Sequence, residues 1–143
     1  QYDSTTARWR LIEHNQGAWI TPAFAAGDFT GNGAMTWTVT AGERSGAAYY
    51  LWGRTLNVYL EILNSTIGGT PSSLLQVANG QWGGFTGASP NTSGFVIINN
   101  GGVSLTGRWT VSGTSILGQK SDGANWAAGV TESIYGSLIL QIT

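Results

Sequence analysis

The 143-residue chain is predicted to be all-β, a sandwich, jelly roll or barrel of about eight to ten short strands, on three observations. The first is period-two alternation of apolar and polar residues, clearest at Leu56, Val58, Leu60 and Ile62 against Asn57, Tyr59 and Glu61. The second is turn chemistry at close spacing, including Asn32-Gly33, Asn99-Asn100-Gly101-Gly102, Ser112-Gly113 and Lys120-Ser121-Asp122-Gly123. The third is that no segment keeps a helical period for more than a turn or two.

In chain order, Gln1 to Ala7 is polar and reads as an extended or flexible N-terminal arm of a single domain spanning 1–143. Arg8 to Glu13 is a weak strand, Asn15-Gln16-Gly17 a turn, and Ala18-Trp19-Ile20 restarts before Pro22. Ala25 to Gly33 reads as a loop. Met35, Trp37 and Val39 alternate with Thr36 and Thr38 as a short strand, and Ala41 to Gly46 carries Glu43 and Arg44 on an exposed connection. Gly53-Arg54 is a tight bend feeding the long strand that runs to Asn64, with Leu63 breaking its alternation. Asn64 to Ser73 reads as a polar loop and Leu74 to Val77 as a strand. Asn79 to Ser93, with Trp82 and Phe85, is too long for a hairpin turn, and such loops tend to be functional or mobile. Gly94 to Ile98 is a buried strand, and Val103, Leu105, Trp109 and Val111 form the apolar face of the next. Thr114 to Leu117 follows, and the last strand presents Ile134, Leu138, Leu140 and Ile142 on one face.

Charge is scarce, 9% of residues with a net charge of −1, against about 25% charged residues in ordinary domains. No long-range field draws in nucleic acid or an anionic membrane, and no apolar run approaches the ~20 residues that span a bilayer. Neither nucleic acid nor membrane is therefore expected as a partner. Such weak colloidal repulsion suits a subunit of an assembly or a protein outside the cell. The absence of cysteine rules out disulfides and thiolate metal sites. The chain opens at Gln1 rather than Met, as a processed form or an excised domain would.

Catalytic chemistry has few residues to draw on. His14 is the only histidine and reads as a surface side chain beside Glu13; there is no G-x-S-x-G elbow. Glu61 stands where one carboxylate of a glycosidase pair would, but no second is identified. The chain is expected to be non-enzymatic and to need no cofactor. Asp28-Phe29-Thr30-Gly31-Asn32-Gly33 places Asp28, Thr30 and Asn32 at positions 1, 3 and 5 of a calcium-loop pattern with glycine at 6. Val39 occupies position 12, where a bidentate Glu belongs, so a loop closed by an Asn-Gly turn is preferred and Ca2+ is the alternative. The sequons Asn64-Ser65-Thr66 and Asn91-Thr92-Ser93 are no more than this composition supplies by chance.

Trp37 and Trp109 fall on apolar faces and are expected in the core. Trp52, Trp82 and Trp126 lie beside turns. They are the candidate glycan or receptor contacts, since rings stack on sugar faces while amides bond hydroxyls. Filling a core or an oligomer interface is the preferred reading of the same residues.

The pattern Tyr50-x-x-Gly53-Arg54-Thr55-Leu56-x-Val58, a following Gly69-Thr70-Pro71, a Gly-rich loop, a hairpin and a closing strand resembles phage-type virion structural domains. Lys120 to Ala128 is similar to their penultimate loop. The resemblance covers the chain from about Thr21 onward. It implies an antiparallel β-sandwich, a C1q/TNF-like jelly roll, found on tail fibres, head fibres and capsid decorations, and a trimeric habit with other virion proteins as partners. It carries over no catalytic residue.

The leading expectation is therefore a non-enzymatic virion or extracellular protein: a trimeric fibre head, capsid decoration or receptor-binding tip. A secreted carbohydrate-binding module or lectin is the second reading. A homopolymeric extracellular filament, with Gln1 to Ala7 pairing on a neighbour's sheet edge, is the third. In the trimer Tyr59 and Glu61 are the candidate oligomer interface, and a buried Glu61 would need a partner such as Arg54 or Arg108.

Overall fold

Wherever the sequence alternates, the backbone is extended and paired, in a computed structural model that describes residues 2–3, 8–9, 18–87, 93–129 and 131–143. Strands β1 (Tyr2–Asp3) and β2 (Arg8–Trp9) pair antiparallel with each other. The rest of the predicted arm and weak strand, with Glu13 and His14, lies outside the described residues, as do Asn91 and Thr92 of the second sequon.

The remaining strands make one antiparallel sheet. They are β3 (Phe29–Gly31), β4 (Met35–Thr38), β5 (Gly46–Trp52), β6 (Thr55–Gly69), β7 (Leu75–Ala78), β8 (Ser93–Asn100), β9 (Val103–Ser112), β10 (Ser115–Lys120) and β11 (Thr131–Gln141). Their order is β3-β7-β10-β9-β8-β11-β6, and β4 and β5 share the far edge of β6. The two ends of this order meet at a tight turn: β3 leads into β4 through Asn32 to Ala34, where the Met35 N–H donates to the Asn32 carbonyl at 3.3 Å. The sheet thus curls almost closed around its apolar face, the predicted all-β class in a barrel-like sandwich compatible with a jelly roll.

Local chemistry explains the hairpins. Between β8 and β9, Asn100 pairs with Val103, so Gly101 and Gly102 form a two-residue turn with φ of 57° and 89°. Both angles are positive, as a turn matching the strand twist requires, and glycine takes them without strain. The Asn99 side chain accepts from the Gly102 N–H at 2.9 Å and braces the turn.

β6 is the longest strand and does not stop at Leu63. Asn64 has a φ of 59°, and the pairing with β11 slips between Glu132 and Ile134. This is a β-bulge, with one extra residue on β6. Before it the even residues Leu56, Val58, Leu60 and Ile62 face inward; after it the odd residues Ser65 and Ile67 do. The expected polar loop from Asn64 to Ser73 is therefore strand as far as Gly69, because a bulge inverts the parity of everything beyond it. The expected loop Ala25 to Gly33 likewise contains β3, which pairs with β7 from Phe29↔Val77 to Gly31↔Leu75.

The enclosed core includes Met35, Trp37, Val39, Trp109, Val111 and the predicted row Ile134, Leu138, Leu140 and Ile142. Val103, expected inside, is exposed because β9 extends past the barrel at its hairpin end.

Candidate interaction face

The residues that alternate with the core point outward, and the strand register assembles them into rows. One row runs Gly46, Glu61, Tyr135, Ile97 and Thr106 across β5, β6, β11, β8 and β9. In the next row Phe95, Arg108 and Gln119 align across β8, β9 and β10, and two rows from the first Tyr50, Asn57 and Ile139 align across β5, β6 and β11. Phe95 is 89% exposed, Ile139 56% and Ile97 48%. Large apolar side chains standing together on the outside of a sheet mark an interaction surface. Phe95-Val96-Ile97-Ile98 is continuously apolar in sequence, a pattern that reads as core and hides which residues point outward. Val96 and Ile98 are buried there, while Phe95 and Ile97 are not. The available signal was on the neighbouring strand, where their cross-strand partners Arg108 and Thr106 are polar.

Two charges border this apolar zone. On the β6 side, the Tyr59 hydroxyl donates to Glu61 Oε2 at 2.8 Å. That hydrogen bond, then burial and the carboxylate's charge, hold the Tyr59 hydroxyl above its ordinary pKa. Both side chains pass over Gly46, where an added Cβ would lie 2.7 Å from the Tyr59 ring and 3.2 Å from Glu61 Oε2. On the β9 side, Arg108 donates through Nε and Nη2 to Gln119 Oε1 at 3.2 and 2.8 Å. Within the chain, Arg54 donates to the Ile142 carbonyl at 3.1 and 3.0 Å, and Arg108 bonds Gln119 rather than Glu61.

Of the three candidate ligand tryptophans, only Trp52 is at the surface, 62% exposed at the β5–β6 turn. Trp19 sits edge-on to Tyr50 nearby on the same outward side, with ring centroids 4.6 Å apart. Trp82 and Trp126 are enclosed, 0% and 1% exposed, and are unavailable to a glycan or receptor. Each is carried inward by an irregular segment whose depth the sequence does not report. Trp82 ends the 3-10 turn Asn79–Trp82. Trp126 is tied to the segment before β7, its backbone N–H donating to the Ser72 carbonyl at 2.9 Å and its Nε1 to that of Ser73 at 3.1 Å.

The calcium-loop pattern does not form a loop. Asp28 ends a 3-10 turn, and Thr30 then lies exposed on β3. An extended chain puts Asp28 and Asn32 roughly 13 Å apart, too far to share one ion. Asp28 Oδ2 instead accepts from Gln81 Nε2 at 2.7 Å, while Gln81 Oε1 accepts from Arg44 Nη1 at 2.8 Å. Gln81 thereby ties the Asn79–Trp82 turn to the segment around Ala23 and to the Glu43-Arg44 connection.

One buried cluster was not anticipated. Glu132 on β11 is fully enclosed, and neither carboxylate oxygen has a hydrogen-bond partner. Burial pushes its carboxyl up to about 7, against a smaller opposing effect of Lys120. Lys120, itself buried on β10, donates to the Asn125 carbonyl and lies 5.8 Å from the centre of the Trp126 ring. Nearby, Trp37 Nε1 donates to Ser65 Oγ, which donates to the Glu132 backbone carbonyl, both at 2.9 Å.

The chain matches no family model, no curated protein and no solved structure.

Proposed function

We propose that this chain is a non-catalytic structural domain that works as a homo-oligomer, packing copies together through the outward face of β5, β6, β11 and β8. The observation that carries this reading is the exposed apolar zone of Phe95, Ile97 and Ile139 on well-paired strands. The occupant is a second copy of the chain rather than a charged partner: the chain has few charges, and the border of the zone carries one of each sign, at Glu61 and Arg108. The resemblance to virion fibre-head and capsid-decoration domains favours a trimer, in a virion or extracellular setting. Light scattering on the purified protein at micromolar concentration tests it. A mass near three times the 15.0 kDa subunit, reduced to one subunit by the paired change F95S/I97S, is the expected result. A wild-type chain that remains a monomer at those concentrations overturns the proposal.

A receptor- or glycan-binding role has a narrower support: Trp52, Trp19 and Tyr50 form an exposed aromatic group on the outward side. Glycan binding that is lost in Trp52→Ala and kept in F95S/I97S is the result that favours it.

A further inference from the structure

We propose that Glu61 of one copy pairs with Arg108 of the next, and that this pair sets how the faces dock; the inference rests on the assembly reading above. Each charge has a side-chain hydrogen-bond partner within its own chain, and that partner is neutral: the Tyr59 hydroxyl for Glu61 and the Gln119 amide for Arg108. Among the described residues neither has an opposite charge within salt-bridge distance. Both side chains are therefore oriented in the free subunit, with neither charge compensated by another described residue.

Their placement fits a contact between two different parts of the surface. Glu61 lies on β6 and Arg108 on β9, with β11 and β8 between them in the sheet. At the usual strand spacing that is roughly 14 Å, too far to pair within one chain. The zone between carries Tyr135, Ile97 and Phe95, of which Phe95 is largely and Ile97 about half exposed. If the β8–β9 side of one copy packs on the β5–β6 side of the next, as in a cyclic ring, Arg108 arrives opposite Glu61 at every interface. Glu61 is half-buried and Arg108 exposed, so the pair acts at the rim, where charges choose partner and register more than they add affinity. Tyr59 assists by holding the carboxylate over Gly46, where no side chain competes for the space.

A charge-swap cycle tests the pair. Self-association of wild type, E61R, R108E and the double variant E61R/R108E is measured by sedimentation, with the melting of each subunit recorded alongside. Each single reversal is expected to weaken association at least about tenfold, and the double reversal to recover it to within about threefold of wild type. The neutral pair E61Q and R108Q keeps side-chain size and repeats the cycle should a reversal fail to fold. Its expected result is non-additive weakening and a flatter dependence on salt. Wild-type association that ignores the single changes, or a double variant as weak as the two effects combined, overturns the pair and leaves the assembly reading standing. A monomeric wild type overturns both.

Discussion

Glu132 is enclosed on β11 with neither oxygen hydrogen-bonded, so its charged form has lost water without gaining a donor. The folded state consequently binds its proton more tightly than the unfolded chain does, with a pKa near 7 in place of the ordinary 4.5. Between those values the native state holds more protons, and stability falls as pH rises through the window. The full loss above pH 7 is about 3 kcal/mol. Urea unfolding at pH 5 and pH 8 is expected to show this drop in wild type and a much smaller one in Glu132→Gln. Lys120 opposes the shift, so Lys120→Met is expected to go on losing stability to a higher pH than wild type, with the loss starting from the same unfolded-state pKa. The tryptophans separate in the same way. Trp126→Ala leaves a cavity in the core and is expected to cost about 3–5 kcal/mol, whereas Trp52→Ala at the surface changes stability by no more than about 0.5 kcal/mol. Denaturant titration of the two variants checks both.

At the scale of elements, β6 organises the sheet because it is long enough to pair with β11 on one edge and with both β5 and β4 on the other. The bulge at Asn64 makes this double pairing compatible with one core, since it turns Ser65 and Ile67 inward where unbroken alternation would expose them. Asn64 adopts the left-handed region, which β-branched residues resist. Asn64→Val is expected to destabilise by about 1–2 kcal/mol and Asn64→Gly to be close to neutral. Thermal melts of the two variants give the comparison. A slip of register rather than simple loss of stability would appear as altered amide-exchange protection along Ser65 to Gly69.

For the whole molecule, an almost closed sheet restricts growth by strand addition, so the proposed association is expected to use faces. An oligomer of this kind is stabilised by mass action. The melting temperature of wild type is expected to rise with protein concentration, and that of F95S/I97S to be independent of it. Calorimetry over a hundredfold concentration range makes the test.

The legible part of this chain was what period two controls. Leu56 to Ile62, Met35 to Val39 and Ile134 to Ile142 reported their inner faces because a pleated strand sends alternate side chains to opposite sides whatever lies beyond it. The Asn100-Gly101-Gly102 turn was readable for the same local reason: its backbone angles belong to the residues that form it. Tyr59 and Glu61 were placed on the outer face by that alternation too, yet the hydrogen bond between them depends on Gly46 arriving from β5 to leave room. The outward exposure of Phe95 and Ile97, the enclosure of Trp82 and Trp126, and the lone buried carboxylate of Glu132 were decided by tertiary structure alone. Each depends on which distant strand or loop covers a position, and burial is a property of that neighbour as much as of the residue itself.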